Sequence, residues 1–246
     1  MIPAPSVSSA IYAPPSWKHP FGTDFQGEDI FAQIVHGTPT MLLTAFIVGV
    51  LITLVAIVLG SLAGYVGGTV DTVLMGAADV ILAIPQLPLL LIFAVLFKSL
   101  NLITLALLIA ALSWPTAARA FRSQILSLKE RDFVEVSRLL GFNSLEIITY
   151  DLIPNIVPYI AVNVILNAVY AIYIVASLAY LGIIPFKSDN WGVMLFQAWA
   201  YGTIYNRNTF MYVMAPILAI VLLQISLILF SRAFEVIFNP RVRSGE

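Results

Sequence analysis

The sequence has no cysteine, two histidines and few charged residues. Without cysteine, the chain can form no disulfide and offers no thiolate ligand to a metal. The two histidines, His19 and His36, both lie in the N-terminal segment and cannot form a metal site alone, so we predict no metal site. Lysine and arginine total 12 and the net charge is −1, so no basic surface for nucleic acid is indicated.

Apolar residues are what the chain has in abundance. Hydrophobic residues make up 60% of it, the mean hydropathy is +0.96 and charged residues account for 10%. An average soluble domain is about 45–50% apolar and about 25% charged. A water-soluble fold with this composition would lack the polar side chains to cover its surface. The composition therefore predicts a membrane protein.

Five apolar stretches are long enough to cross a bilayer as helices, which takes about 20 residues each. They are residues 41–63, 73–97, 99–118, 157–181 and 209–231. Each is apolar all round, unlike an amphipathic helix of a soluble protein. Pro85 and Pro88 are expected to kink the second stretch, and Pro115 is a candidate for the end of the third. We predict an all-α, polytopic membrane helical bundle of five spans.

Positive charges concentrate between the third and fourth spans and after the fifth, where 8 of the 12 basic residues lie. They are Arg119, Arg122, Lys129, Arg131, Arg138, Arg232, Arg241 and Arg243. The positive-inside rule makes this side cytoplasmic. We therefore expect an extracytoplasmic segment (1–39), a membrane domain (40–235) with a cytoplasmic loop (119–155), and a cytoplasmic tail (236–246). Either the N-terminal segment is translocated unaided, or the chain lacks a preceding span.

The cytoplasmic loop carries the clearest local signals. FVEVSRLL, residues 133–140, alternates apolar and polar positions at helical spacing and predicts a short helix. Gly141 follows it, where helices commonly end in a left-handed residue. Asn143 with Glu146 three positions later predicts a capping box, and the second helix then runs to a stop near Pro154.

Arg131 and Arg138 lie four positions before and three positions after Glu135, a spacing that predicts surface ion pairs. A polar helix–turn–helix of this kind suits two roles. It can protrude and be gripped by another protein, or it can lie flat on the lipid headgroups as an interfacial helix pair. The pattern alone leaves both open.

Three polar residues stand out inside the spans. Asp79 is the only acid in a span, which suggests a function, although it can equally be solvated or pair with a neighbouring helix. Asn163 and Asn167, one helical turn apart, either line a polar passage or form hydrogen bonds between helices.

Four aromatic residues between the fourth and fifth spans favour an interfacial belt over a ligand cage. They are Trp191, Trp199, Tyr201 and Tyr205.

The loop resembles the EAA loop of ATP-binding-cassette importer permeases. That motif reads E-A-A, three residues, G, nine residues and then I-x-L-P. Its positions are filled here, in order, by Glu135, Val136, Ser137, Gly141, Asp151, Ile153 and Pro154. Asp151 and Ile153 depart from the motif's isoleucine and leucine.

The resemblance extends along most of the chain. HPFGTDFQGED, from residue 19, is similar to the HPLGTD-x-x-GRD segment of the dipeptide, oligopeptide and nickel permease subfamily. Other similar segments follow in the same order, among them GYVGGTVDTVLMGAADVILAIP, LSLKERDFVEVSRLLG, ASLAYLGI, NWGVML and NPRVR. The C-type permease subunit is the nearer likeness. Glu28, Gly76 and Val175 depart from the arginine, arginine and glutamate usual in the subfamily.

The resemblance implies a permease subunit, in a type I importer-like fold, of an ATP-driven, binding-protein-dependent importer in the cell membrane. It implies a second permease subunit, two ATPase subunits and an extracellular solute-binding protein as partners, with alternating access as the mechanism. It also implies a coupling role for residues of the loop. These are Glu135, Val136, Ser137, Gly141, Phe142, Asn143 and Pro154.

No GxxxxGK[ST] motif occurs, so the chain is not expected to be an enzyme, and ATP and magnesium are assigned to the ATPase partners. Peptides are the expected substrate, with saccharides or nickel as alternatives. A more distant alternative is an autonomous secondary transporter or channel, which would use acid–base relays within the membrane and need no docking loop. A membrane scaffold that transports nothing would show the spans without the loop motif.

Overall fold

The computed structural model describes residues 10–96, 101–182, 189–202 and 209–238. These residues are mostly helical and form no strand, only an isolated antiparallel bridge between Thr23 and Asp29. The elements are α1 (Ile30–Val66), α2 (Gly68–Ala83), α3 (Gln86–Leu96), α4 (Leu102–Leu128), α5 (Asp132–Leu139), α6 (Ser144–Glu146), a π-helical turn (Ile147–Leu152), α7 (Ile153–Asn155), α8 (Val157–Tyr180), α9 (Trp191–Ala200) and α10 (Phe210–Phe238).

Four of these helices, α1, α4, α8 and α10, are long and apolar enough to cross a membrane. The pair α2 and α3 adds a fifth span if the two are counted together, although they are bent by 84°. The prediction of an all-α bundle of apolar spans is confirmed. The boundary between the second and third predicted spans, Tyr205 and residues 239–246 lie outside the described residues.

The break between α2 and α3 is at Ile84 and Pro85, as the proline pattern predicts. Ile84 has the extended backbone (φ −93°, ψ 128°) that a following proline imposes on its neighbour. Pro88 lies in the first turn of α3, where the missing N–H leaves no helical hydrogen bond unmade. The second span is therefore two helices at a steep angle.

Pro115 does not end the third span, so that prediction is wrong. It lies buried inside α4, which continues to Leu128. Packed neighbours can cover the carbonyl that a proline frees within a helix, and this lets the helix pass through it. The first part of the predicted cytoplasmic loop is therefore an extension of α4. Likewise, α1 begins at Ile30, well before the apolar stretch that starts at residue 41.

The chain divides into two compact units, the first formed by Met1–Ala45, Leu91–Leu100 and Val169–Leu227. Trp191 is buried in it and donates its indole N–H to the carbonyl oxygen of Ile34 at 3.1 Å. The prediction of an aromatic belt is therefore wrong for Trp191, because its ring packs against the chain's own N-terminal residues.

The second unit comprises Phe46–Leu90, Asn101–Ala168 and Ile228–Glu246. In it α1 and α4 approach each other closely at Gly60 and Gly64. A Cβ atom on Gly60 would lie 2.5 Å from the carbonyl oxygen of Ala118, and one on Gly64 would lie 2.9 Å from that of Arg122. Small residues four apart allow such close backbone contact within membranes. Gly49 makes a similar contact with α8, at 2.8 Å from the carbonyl oxygen of Val164.

Candidate functional site

The turn after α5 is built as the sequence predicts. Gly141 has a left-handed backbone with φ 85°, which an L-residue adopts only at a cost. Its N–H donates to the carbonyl oxygen of Arg138 at 3.1 Å, and the N–H of Phe142 donates to that of Ser137 at 3.1 Å. This pair of bonds is the Schellman motif, which satisfies the last carbonyls of a helix.

A capping box starts the second helix of the loop, again as predicted. The side chain of Asn143 accepts a hydrogen bond from the N–H of Glu146 at 3.0 Å, and the Glu146 carboxylate accepts one from the N–H of Asn143 at 2.7 Å. Gly141 and Asn143 therefore set the direction of the chain between α5 and α6, and we call residues 141–143 the elbow.

The second helix widens into the π-helical turn just before Pro154. A proline ring clashes with the carbonyl four residues earlier in an α-helix, and a wider turn relieves that clash. The helix ends at Asn155, since Ile156 has non-helical angles of φ −110° and ψ 9°. Pro154 thus lies beside the junction between the loop and α8, close to where the sequence places it.

The loop buries one face and exposes another. Val134 and Ser137 of α5 are buried together with Ile147, Ile148 and Leu152 of the π-helical turn. The hydroxyl of Ser137 donates to the backbone carbonyl of its own helix. The small residue at position 137 therefore faces inward.

The exposed face of the loop is strongly apolar. Five large side chains lie there within ten consecutive residues, and Leu139 is 82% exposed and Leu140 70% exposed. They are Val136, Leu139, Leu140, Phe142 and Leu145, which we call the loop surface. An exposed cluster of this kind marks a contact with another protein or with a membrane.

The predicted ion pairs of Glu135 are wrong. The ion pairs found in the described ranges are His19–Asp29, Arg119–Asp79 and Arg122–Asp71, and none of them includes Glu135. Arg138 points instead to Tyr65 of α1. Its guanidinium carbon lies 5.4 Å from the centre of the tyrosine ring, because tertiary packing brings α1 within its reach.

Two ion pairs join α2 to α4. Asp71 accepts hydrogen bonds from Nε and Nη2 of Arg122, each at 2.5 Å, and Asp79 pairs with Arg119. Pairing with a neighbouring helix, one of the two interpretations of Asp79, is the arrangement found here. Its place in a translocation pathway stays a prediction. The pairing of Asp71 with Arg122 was not predicted, because the two residues are far apart in the sequence.

The two asparagines of α8 bond differently. Asn163 donates to the carbonyl oxygen of Tyr159 in its own helix at 2.9 Å. Asn167 donates to the hydroxyl of Thr53 in α1 at 3.0 Å, which is a hydrogen bond between helices. This geometry matches the helix-linking interpretation of Asn167, and a pathway role for either residue stays a prediction.

A buried polar cluster organises the N-terminal residues. The amide of Gln33 donates to the carboxylates of Asp24 at 2.7 Å and Glu28 at 2.8 Å. Burial raises the pKa of Glu28; the Gln33 hydrogen bond opposes that rise, while Asp24 and Asp189 add to it. In the parts of the chain described, no three His, Cys, Asp or Glu side chains meet in a metal-ligand arrangement.

The first unit also contains a cavity of about 490 Å³ between α8, α9 and α10. Its lining is mainly apolar, with Tyr173, Tyr180, Trp199 and Gln224 as its larger polar or amphipathic residues. The sequence pattern did not predict this cavity, since apolar runs of uniform character do not reveal which faces leave a gap.

Several known permeases and solved transporter structures are similar to this chain. The oligopeptide transport system permease protein OppC of Mycobacterium tuberculosis is 34% identical over 175 residues, which are 71% of this chain and 60% of that protein. OppC of Bacillus subtilis is 35% identical over 182 residues, 74% of this chain and 59% of that protein. The chain thus aligns with less than two thirds of each relative.

The fold resembles that of the MetNI methionine ABC transporter, solved in inward-facing conformations, with a TM-score of 0.61 and 18% identity. That alignment covers 83% of this chain and 97% of the other. The sequence also matches the family described as binding-protein-dependent transport system inner membrane component over residues 56–244. This chain belongs to the family of inner membrane components of binding-protein-dependent transport systems.

Proposed function

We propose that the chain is a membrane-spanning subunit of an ATP-driven importer of di- and oligopeptides. Family membership supports the transport role, and the name oligopeptide permease, carried by both relatives, supports peptides as cargo. Two ATPase subunits would bind ATP and magnesium, a second permease subunit would complete the pathway, and an extracellular solute-binding protein would deliver the peptide.

The loop surface is the observation that carries this proposal. Its exposed leucines and Phe142 are held by a Schellman turn and a capping box, so the surface is presented by an ordered elbow. Such a surface suits a partner that binds tightly, because apolar side chains buried at the centre of an interface supply most of the binding energy.

In the mechanism, ATP binding closes the ATPase dimer and moves the loop with it. The elbow transmits this motion to α4 and α8, which the loop joins, and the spans alternate between two open sides. Val136, a member of the loop surface, and the neighbouring Glu135 both face outward and would contact the ATPase directly. Ser137, buried in the loop, would keep α5 packed on the π-helical turn.

A double substitution tests the docking role of the loop surface. We expect Leu139→Asp with Leu140→Asp to leave the chain in the membrane but to lower copurification of the ATPase subunits about tenfold or more, because two acids replace central apolar contacts. Ser127→Asp adds an acid at an exposed position in the last turn of α4, outside the loop surface, and should leave copurification unchanged. Equal ATPase recovery with the double variant and the wild type would refute the docking role.

The cargo needs a separate test. Vesicles that contain the complete transporter and its binding protein should accumulate a labelled tripeptide when ATP is supplied. Uptake of a labelled saccharide or of nickel in place of the peptide would keep the importer class and change the substrate. Peptide uptake driven by a proton gradient without ATP would instead indicate a secondary transporter.

A further inference from the structure

Arg138 makes a contact that the chain's connectivity does not require. It lies in the last turn of α5 and faces Tyr65, the residue before the end of α1. Its guanidinium carbon is 5.4 Å from the ring centre, within the range of a cation–π interaction. Its Nε also approaches the tyrosine hydroxyl at 3.4 Å, and its Nη2 approaches the carbonyl oxygen of Lys129 at 3.4 Å.

The end of α1 is itself firmly seated. Gly60 and Gly64 bring the backbones of α1 and α4 together, and Cβ atoms at these positions would clash with α4. Tyr65 follows directly after this contact, so its ring is carried on a segment with little freedom to move. The contact of Arg138 with Tyr65 therefore joins α5 to a tightly packed segment of the second unit.

We propose that Arg138 and Tyr65 are positioning residues that hold α5 against the C-terminal end of α1. Motion of the loop then reaches α1 directly, in addition to α4 and α8. This inference rests on the proposed function of the loop. It also explains why Arg138 does not neutralise Glu135, which is left outside the ion pairs of the described residues and available to a partner.

The residue types fit this role. A guanidinium is planar, stays charged and can stack on a ring while its N–H groups donate to oxygen atoms on either side. A lysine ammonium carries three N–H donors on one nitrogen, but it lacks the planar group that stacks on a ring. Tyrosine supplies both a ring face and a hydroxyl acceptor, so phenylalanine would keep only the first of these.

Coupling, measured as peptide taken up per ATP hydrolysed, tests the contact in the complete transporter in proteoliposomes. Arg138→Gln and Tyr65→Ala should each lower this ratio roughly fivefold, because each removes the cation–π contact. Tyr65→Phe should lower it less. ATPase copurification should stay at the wild-type level, which separates this contact from docking.

Cross-linking gives the sharper result, because the natural chain has no cysteine to interfere. In the variant Tyr65→Cys with Arg138→Cys, coupling should be low before treatment and should recover when a short bismaleimide joins the two positions. Each single cysteine variant, treated in the same way, should not recover.

Two results would overturn the inference. One is wild-type coupling in the unlinked double variant and in Tyr65→Ala. The other is a linked variant that stays uncoupled or stops transporting, since this would mean that α5 and α1 must move apart. A wild-type complex without ATP-dependent uptake would refute the proposed function itself, and this inference would fall with it.

Discussion

Glu28 departs from the pattern of related permeases, and its neighbours in the structure accommodate it by hydrogen bonding. The likeness to related permeases puts an arginine at this position. Here the glutamate shares the amide of Gln33 with the buried Asp24, and Asp189 is near enough to act on its charge. Burial and these two acids raise the pKa of Glu28, so folding favours its protonated form.

The sign of the resulting pH dependence follows from proton binding. Between the unfolded pKa of about 4.3 and the higher folded value, the folded state binds more protons, so the free energy of unfolding falls as pH rises. Glu28→Gln cannot ionise and keeps an acceptor for Gln33. Its thermal unfolding midpoint in detergent should therefore exceed that of the wild type at pH 8 and converge with it towards pH 4.

Glu130→Gln controls for the simple loss of a negative charge, since Glu130 is exposed in the loop. It should not reproduce the pH-dependent gain. If Glu28→Gln raises the unfolding midpoint equally at pH 4 and pH 8, the effect comes from packing. No rise in the midpoint at pH 8 would contradict the role of burial.

The ion pairs of α2 show a limit of sequence reasoning at the residue scale. Asp79 was singled out because it is the only acid in a span, yet Asp71 makes the better-defined contact, with two hydrogen bonds to Arg122. Residues 71 and 122 are far apart in the chain, and no local pattern links them. Their pairing depends on how α2 and α4 pack.

At the scale of elements, the elbow of the loop is determined locally. The hydrogen bonds at Gly141 and Asn143 join residues no more than five positions apart, and they belong to capping motifs that recur in many proteins. This is why the helix end and the capping box could be predicted before any tertiary contact was known. The π-helical turn could not, because nothing in the pattern gives its width.

Substitutions at Gly141 test the elbow. Alanine should cost about 1–2 kcal/mol, since no atom lies near its Cβ and only the left-handed backbone is penalised. Amide hydrogen exchange in α5 should then rise roughly 5- to 30-fold if the turn opens with the helix. Asparagine, which tolerates this backbone, should raise it less.

Gly141→Pro goes further, because proline cannot adopt φ 85° and has no N–H for Arg138. The chain should still insert, while ATP hydrolysis and uptake become uncoupled. Unchanged exchange in the alanine variant, or normal coupling in the proline variant, would show that the elbow's geometry is not needed.

The prolines show how context decides the shape of an element. Pro85 breaks a span by 84°, whereas Pro115 and Pro216 lie inside helices that continue through them. All three lack the same N–H. The break occurs where the preceding residue becomes extended, and the helix continues where packing around the proline keeps the α conformation.

At the scale of the whole molecule, the distribution of basic residues predicts how the chain is oriented in the membrane. Eight of the 12 basic residues lie within residues 119–155 or from Arg232 onward, and the positive-inside rule predicts that both regions are cytoplasmic. We therefore predict that Ser127→Cys and Ser244→Cys react with a membrane-impermeant maleimide in inside-out vesicles and not in intact cells.

The same two variants should react in cells made permeable, which establishes that both sites are accessible to the reagent. Labelling of either site in intact cells would reverse the orientation or place the two sites on opposite sides of the membrane. The absence of natural cysteine means that each signal comes from one position.

Composition and periodicity alone determined that the chain is helical, lives in a membrane and carries a capped elbow, because these properties depend on length, apolarity and neighbours close in sequence. Tertiary structure decided which residues meet. The burial of Trp191, the hydrogen bond from Asn167 to Thr53 and the contact of Arg138 with Tyr65 all join distant segments. An apolar helix presents similar faces all round, so its sequence does not specify which face a neighbour will cover.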